Sequence, residues 1–219
     1  MLTNPTTPNL ADYTTFLYGA VGIPTKELPT ASGTATGGST TTLVDTSKSW
    51  TINQWAGYFV SDSTQGETPG VISNTANTLN FFAVVANPVI AGDAYLIVPD
   101  SVYTSFVVAM ETVNETLNCA SPTLYTLAVY NLAADRLINF ANDQPNQTYF
   151  EDLRETLKIS SISVGVVSGS SDQSTSATLL NPQAMKAFTL QDLQTLKTPY
   201  GRYYMGLAQA YGPTLWGLT

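Results

Sequence analysis

Residues 122–142 form the segment that most restricts how this chain can fold. The segment is apolar at nearly every position, and Ser121 and Pro122 match the N-cap and the first position of a helix. A helix that is apolar on all sides has to be enclosed by other parts of the protein. We therefore predict the central helix of a bundle, with one polar stripe that faces solvent or another subunit. The stripe repeats at intervals of four residues and consists of Asn131, Asp135 and Asn139.

Further helices are predicted where apolar residues recur every three or four positions. The first spans 9–20, with Asn9 as its N-cap and a stop at Gly22. The second begins at Asp100 or Ser101, either of which is a suitable cap, and continues to residue 117. Three more helices are predicted at 147–158, 189–197 and 200–211.

Residues 31–98 differ in character from the helical segments. They are rich in Thr, Ser, Gly and Asn, and short runs of β-forming residues are separated by residues typical of turns, such as Gly37 and Gly38. We predict a small all-β module, closed as a barrel or packed as a sandwich so that its edges are hidden. Trp50 and Trp55 are expected in its core or at its mouth. Strands are predicted at 40–45, 56–62, 70–73, 78–85 and 94–98.

An arm and a tail are predicted in the second half of the chain. Residues 159–180 alternate between apolar and small polar side chains around a polar tip at 168–174, which predicts a projecting β-hairpin. Residues 212–219 are apolar without being amphipathic. This tail either folds back on the bundle or docks on a partner, and both alternatives stay open.

Together these segments predict an α+β fold. A helical bundle of residues 1–30 and 99–219 carries the β module of residues 31–98 as an insertion after the first helix, where insertions are tolerated. The first eight residues are polar and contain no basic residue, so no secretory signal is expected. The most apolar stretch contains Asn131, Asp135 and Arg136, which argues against a membrane span.

Composition excludes several kinds of function. The chain has no His and a single cysteine, Cys119, so it has no Ser-His-Asp triad, no His-ligated metal and no internal disulfide. With 8 Lys+Arg against 16 Asp+Glu, its net charge of −8 disfavours a surface that binds nucleic acid. The acidic excess lies wholly in residues 1–150. Only 11% of the residues are charged, against about 25% in typical globular proteins.

Two sets of acidic residues are candidates for chemical sites. Asp45, Asp62 and Asp93 lie near turns, and because their spacing matches no EF-hand-like loop, turn formation is favoured over calcium binding. The other set lies on predicted helices, where carboxylates usually form a solvated face rather than an acid–base pair. It consists of Glu111, Glu115, Glu151, Asp152 and Glu155.

A series of short stretches follows a particular order through residues 123–217. They are 127–135 (LAVYNLAAD), 149–150 (YF), 153–154 (LR), 165–172 (GVVSGSSD), 196–202 (LKTPYGR), 208–212 (AQAYG) and 215–217 (LWG). In this order they resemble the head–tail connector, or adaptor, proteins of tailed bacteriophages. Segments 33–38 and 45–50 are similar to small Thr-rich modules of phage structural proteins, although the β insertion departs from the minimal helical adaptor.

The resemblance implies a structural virion protein that is not an enzyme and needs no cofactor or metal. Such adaptors form a homo-oligomeric ring, usually of twelve subunits, that joins the portal protein to the tail or neck and lines the DNA passage. The implied location is the neck of the virion, after assembly in the host cytoplasm. The implied partners are the portal protein and a tail or neck terminator protein, with DNA passing unbound and no membrane involved.

The resemblance also implies two sets of contact residues. Residues of the C-terminal segment are implied in portal docking: Tyr211, Leu215, Trp216 and Leu218. Residues of the arm are implied in contacts with a neighbouring subunit or neck protein: Ile162, Val164, Val166, Asp172 and Thr178.

Aromatic side chains of the β module support an alternative function. The module is then a carbohydrate-binding or capsid-decorating unit, and the helices serve as its mount. Because aromatic side chains also fill small cores efficiently, burial in the core is favoured over stacking on sugars. The residues concerned are Trp50, Trp55, Tyr58, Phe59, Phe81 and Phe82.

Overall fold

The computed structural model of the protein describes residues 2–159, 169–172, 175–178 and 189–211. Within these ranges the chain is mixed α+β, with seven α-helices, two larger antiparallel sheets and a separate two-stranded ladder. The helices are α1 (Leu10–Phe16), α2 (Asp100–Thr112), α3 (Thr116–Ala120), α4 (Pro122–Phe140), α5 (Tyr149–Thr156), α6 (Leu190–Thr195) and α7 (Pro199–Tyr211). A π-helical turn, Leu17–Val21, continues α1 to the left-handed Gly22.

Helix α4 is the long apolar helix that the sequence predicts. The Ser121 hydroxyl accepts a hydrogen bond from the Leu124 amide at 3.4 Å, and Pro122 occupies the first turn, as expected. Most of its apolar side chains are buried, and they form the centre of a hydrophobic cluster to which α1, α2, α3, α5 and α7 contribute. Tyr13 of α1 stacks on Tyr130 of α4 with ring centroids 5.7 Å apart.

Helix α2 differs from its prediction at both ends. It begins at Asp100 with Pro99 in the N-cap position and without a side-chain cap, so the caps predicted from Asp100 or Ser101 are wrong. The chain then leaves the helix at Val113, where the backbone is extended, and α3 follows as a separate short helix. Apolar residues keep their helical spacing across this break, which is why the sequence predicted one continuous helix.

Seven short strands lie between α1 and α2. They are β1 (Ala31–Thr34), β2 (Gly37–Gly38), β3 (Thr42–Val44), β4 (Tyr58–Asp62), β5 (Val71–Asn74), β6 (Thr78–Phe81) and β7 (Ala94–Pro99). The sheet orders are β1-β7-β4 and β2-β3-β6-β5, and every pairing is antiparallel. Their inner faces share one hydrophobic cluster that includes Leu43, Trp55 and Ile97. In the described part of the chain the strands form no closed barrel, so that alternative of the prediction is wrong.

Gly37 and Gly38 form a strand and not the predicted turn. They pair with Val44 and Leu43 of β3. A Cβ atom on Gly38 would lie 2.5 Å from the Thr42 carbonyl oxygen, too close for any side chain. Glycine is therefore required here by the close approach of the two strands.

Part of the predicted arm is a β-hairpin. Strand β8 (Gly169–Asp172) pairs with β9 (Thr175–Thr178), so that Asp172 is opposite Thr175 and Gly169 is opposite Thr178. The predicted polar tip at 168–174 is thus too long, since most of it belongs to β8. The preceding arm residues Ile162, Val164 and Val166 lie outside the described residues, as does the tail, 212–219. Among the described helices, none has the length and apolar character needed to cross a bilayer.

Candidate assembly surfaces

The polar stripe of α4 is covered by the C-terminal helices of the same chain. Asp135 is fully buried and Asn131 nearly so. The Thr198 hydroxyl donates to Asp135 Oδ1 at 2.6 Å, and Gln194 Nε2 donates to Asn139 Oδ1 at 3.2 Å. The prediction that this stripe faces solvent or another subunit is therefore wrong. Its role is internal, since it attaches α6 and α7 to α4.

The junction between α6 and α7 fits closely against Asp135. Thr198 is fully buried, and its hydroxyl oxygen also accepts a hydrogen bond from the Gly201 amide at 2.8 Å. A Cβ atom on Gly201 would collide with the Thr195 carbonyl oxygen at the end of α6. Arg202 follows and donates to two carbonyl oxygens of the junction at 3.0 and 3.3 Å. The start of α7 is therefore fixed in position against both α6 and α4.

Asp135 is an unusual acid because of its surroundings. Burial raises the pKa of its carboxyl to about 6, and the Thr198 hydroxyl and the Arg136 charge only partly oppose that rise. Among the described residues, Asp135 Oδ2 has no hydrogen-bond partner, and neither has the buried Nε of Arg136. The carboxyl that holds the C-terminal helices in place therefore changes its charge within the range of mildly acidic pH.

The corner between α4 and α5 is stabilised by two charged side chains. Arg154 Nη1 donates to the carbonyl oxygens of Ile138 at 3.2 Å and Ala141 at 2.7 Å, which lack partners within the last turn of α4. Asp143 accepts from the Phe150 amide at 2.6 Å and so caps the start of α5. Phe150 itself is fully buried in the cluster around α4.

The residues implied in portal docking and arm contacts are only partly described. Tyr211 is the last residue of α7, and 49% of its surface is exposed. Leu215, Trp216 and Leu218 lie outside the described residues. In the arm, Asp172 and Thr178 end strands β8 and β9. These assignments stay predictions.

Most of the aromatic residues that could form a sugar-stacking surface belong to the interior. Trp55 and Phe81 are buried, and Trp50 and Tyr58 are packed against the same cluster. Phe59 stacks on Tyr103 of α2 with ring centroids 4.2 Å apart. Phe82 is the exception, with 76% of its surface exposed.

Hydrogen bonds within turns and loops account for the aspartates of the strand region, as the turn prediction expects. Asp45 Oδ2 accepts from the Tyr95 hydroxyl at 2.6 Å, and its Oδ1 accepts from the Ser47 amide and hydroxyl. Burial alone would raise the pKa of Asp45, but these hydrogen bonds and nearby Lys48 hold it below its ordinary value. Asp62 and Asp93 are buried and accept from backbone amides of their own loops.

The carboxylates proposed as acid–base candidates lie apart from the cleft of the helical region. Within the described residues, no group of three or more His, Cys, Asp or Glu is placed to hold a metal ion. The carboxylates that the sequence offers as acid–base candidates are all exposed: Glu111, Glu115, Glu151, Asp152 and Glu155. A cleft of about 330 Å³ lies between the start of α2 and the corner after α4, and none of these carboxylates lines it.

Thr198 and Gly201 are the site residues that sequence reasoning missed. A signal for them was present, because an acid such as Asp135 in an otherwise apolar helix requires a buried donor. The partner was not identifiable, since 63 residues separate Asp135 from Thr198.

The comparisons with known protein families, with curated proteins and with solved structures find no match to this chain.

Proposed function

We propose that this chain is a structural subunit of the head–tail connector of a tailed bacteriophage, and that it forms a ring between the portal protein and the neck. The observation that carries the proposal is a buried contact between two of the stretches that resemble connector proteins. Stretch 127–135 supplies Asp135, and stretch 196–202 supplies the Thr198 hydroxyl and Gly201 that pack against it. Two stretches that are far apart in the sequence, and that each resemble the connector proteins separately, thus meet in one buried contact.

A second contact between these stretches supports the same proposal. Stretches 149–150 and 153–154 supply Phe150, which packs in the cluster around α4, and Arg154, which binds carbonyl oxygens at the end of that helix. Four of the resembling stretches therefore contribute to one helical core.

The proposal also includes the division of the chain into a helical domain, a β module, an arm and a tail. One hydrophobic cluster is centred on the helices and also takes in Val98 of β7, and a second lies among the strands. This division supports a helical domain of residues 1–30 and 99–219 with an inserted β module of residues 31–98. The arm would project from the helical domain and contact a neighbouring subunit or the next neck protein. The tail, with Leu215, Trp216 and Leu218, would dock on the portal protein.

Charge and symmetry are consistent with this role. A ring gives each arm a neighbouring subunit to pair with, so that no edge is left unpaired. With a net charge of −8, the subunits would present DNA with a lumen that repels it and lets it pass. In this proposal the chain is not an enzyme, takes no cofactor, and is located in the neck after assembly in the host cytoplasm.

The proposal is tested by mixing the purified chain with the portal protein of the same phage. We expect light scattering to show a complex of one portal with one ring of this chain, of about twelve subunits.

 

A ring bound at the portal surface would support the proposal, whatever its exact subunit count. A chain that stays monomeric and does not bind the portal protein would contradict it.

Variants locate the portal contact within the same experiment. Trp216→Asp is expected to weaken portal binding at least tenfold, because it places a charge in the apolar tail. The matched control is Phe140→Asp, which introduces the same charge at an exposed apolar position of α4 and should leave binding unchanged. If Trp216→Asp binds the portal as the original chain does, the tail is not the docking segment.

A capsid-decorating role for the β module is the second candidate. The observation that favours it is the exposure of Phe82 on the strand region. A glycan array and a capsid-binding assay with the full chain test it. Binding that is lost on changing Phe82→Ser would support this role, and the absence of any binding would end it.

A further inference from the structure

The C-terminal helices α6 and α7 enclose few apolar side chains where they cover α4. Across residues 189–211, all of which the structure describes, the buried residues are Thr195, Thr198, Gly201 and Leu207. Leu207 is the only large apolar side chain among them, and the rings of Tyr200 and Tyr204 are half-buried against the cluster around α4. The attachment of α6 and α7 therefore depends strongly on their polar contacts.

The central polar contact of these helices encloses the carboxyl of Asp135. The hydrogen bond from Thr198 to this carboxyl is fully buried, whereas the one from Gln194 to Asn139 is only partly buried. The first turn of α7 lies directly over the carboxyl, since a Cβ atom on Gly201 would be 2.9 Å from Asp135 Oδ1. Movement of α7 away from α4 would therefore expose Asp135 to water.

We propose that α6 and α7 open from α4 as one unit, and that ionisation of Asp135 promotes this opening. An ionised Asp135 is poorly compensated in the closed arrangement, because its Oδ2 has no hydrogen-bond partner among the described residues. A buried charge of this kind is costly, and contact with water relieves the cost. The two helices move together because Arg202 of α7 donates to the carbonyl oxygens of Leu196 and Lys197 at the junction.

The charged groups around Asp135 do not replace the missing partner. Arg136, its neighbour on α4, lowers the pKa of Asp135 through its charge, but less than burial raises it. The other charged groups on this side bond to backbone of their own or of a neighbouring segment. Lys197 Nζ donates to the Ile159 carbonyl oxygen at 2.9 Å, and the Asp192 carboxylate accepts from the amide at the start of α6 at 2.8 Å. Burial raises the pKa of both tyrosines of this contact, so neither becomes charged near neutral pH.

The direction of the pH dependence follows from the two environments of the carboxyl. With α7 in place, burial raises the pKa of Asp135 to about 6, whereas an exposed Asp has a pKa of about 3.9. The closed arrangement therefore binds this proton more tightly, and the opening constant of α6 and α7 rises with pH between about 4 and about 6. A difference of about two pKa units corresponds to about 100-fold overall, of which at least about tenfold falls between about pH 4.5 and about pH 7.5.

Native-state amide exchange of the full chain measures this opening. Opening constants of amides in α7 are compared with those in α2 at about pH 4.5 and about pH 7.5, with and without about 1 M urea. We expect α7 to open at least about tenfold more readily than α2 and with a weaker dependence on urea, because opening exposes less surface than global unfolding. The opening constant of α7 should also rise at least about tenfold with pH. Equal opening constants and equal urea dependence in the two helices would overturn the proposal.

Variants assign the pH dependence to Asp135. In Asp135→Asn the opening constant of α7 should change less than about twofold between the two pH values, while the control Glu155→Gln, at an exposed carboxylate of α5, should keep the change of the original chain. Thr198→Val removes the donor and should increase opening more at about pH 7.5 than at about pH 4.5, since a hydrogen bond to a charged group is the stronger one. A tenfold pH effect that persists in Asp135→Asn, or equal increases at both pH values in Thr198→Val, would overturn the role of ionisation.

The inference goes beyond the proposed function, because the opening requires neither a portal protein nor a ring. Helix α7 ends at Tyr211, directly before the segment that the proposed function assigns to portal docking, so the opening would also change the position of that segment. The exchange measurement uses the free chain and is independent of portal binding. If α7 opens with the ionisation of Asp135 and the portal protein is not bound, the opening stands and the connector proposal fails. If the portal protein is bound and α7 opens only with global unfolding, the opening fails and the connector proposal stands.

Discussion

The Thr198 hydroxyl lies 2.6 Å from Asp135 Oδ1, and neither residue has any exposed surface. This hydrogen bond links the middle of α4 to the junction of α6 and α7. The same hydroxyl oxygen receives the Gly201 amide, so one buried threonine orients both the acid and the start of the last helix. The position of the C-terminal helices therefore depends on a group that can titrate.

Replacement of Asp135 by Asn should remove a pH dependence of stability. The pKa of Asp135 is raised to about 6 in the folded chain, against about 3.9 for an unfolded Asp. The folded state thus binds this proton more tightly, and its contribution to the free energy of unfolding is lost as pH rises through about 6. A rise of about two pKa units corresponds to about 3 kcal/mol.

Urea unfolding at about pH 4.5 and about pH 7.5 measures this effect. Asp135→Asn should gain about 2 kcal/mol relative to the original chain between the two pH values, since Asn keeps the acceptor for Thr198 but carries no charge. The control Glu111→Gln changes an exposed carboxylate and should show no such gain. If the stability of Asp135→Asn and that of the original chain change with pH in parallel, Asp135 is not the group with the raised pKa.

Gly201→Ala should destabilise the chain strongly. The added methyl group collides with the Thr195 carbonyl oxygen, so α7 has to move away from α6 and α4. We expect a loss of about 3 kcal/mol in the free energy of unfolding. Gly206→Ala lies on the same helix with open space around its Cβ position and should add about 0.5 to 1 kcal/mol. Equal effects at the two glycines would refute the close contact.

Tyr95→Phe should destabilise the strand region. The change removes a 2.6 Å hydrogen bond to buried Asp45, whose carboxylate then lacks one of its donors. The expected loss is about 1.5 to 3 kcal/mol by thermal or urea unfolding. Tyr103→Phe removes a 3.0 Å bond to the half-buried Thr68 hydroxyl and should cost less than about 1 kcal/mol. A smaller loss for Tyr95→Phe than for Tyr103→Phe would count against this interpretation.

Arg154→Met should loosen the corner between α4 and α5. Methionine fills similar space, but two carbonyl oxygens at the end of α4 lose their donor. We expect the free energy of unfolding to fall by about 1 to 2 kcal/mol and amide exchange to accelerate in α5. Unchanged exchange in α5 would mean that the arginine is not needed to hold the corner.

The helices were predictable where local chemistry alone determines them. Ser121 and Pro122 mark the start of α4, and Asn9 caps α1 through its side chain, as predicted. The direction of the polar stripe of α4 was not predictable from its own sequence, because it depends on which other element covers Asp135. That element is contributed by residues far along the chain.

The strands also divide into those that their own sequence predicts and those that depend on distant residues. Runs rich in Val, Tyr and Phe were found, whereas β1 and β2 were missed, since the sequences Ala-Ser-Gly-Thr and Gly-Gly have low β propensity. Their conformation is set by pairing with β7 and β3. The buried hydrogen bond between Asp45 and Tyr95 was missed for the same reason, because the two residues are 50 positions apart.

Single-particle electron microscopy of this chain bound to the portal protein of its phage tests the central proposal most directly. We predict a closed ring of this chain beneath the portal, with its axis along the DNA passage and its C-terminal segment against the portal surface. Portal particles without added density, next to free monomers of this chain, would contradict the assignment as a head–tail connector.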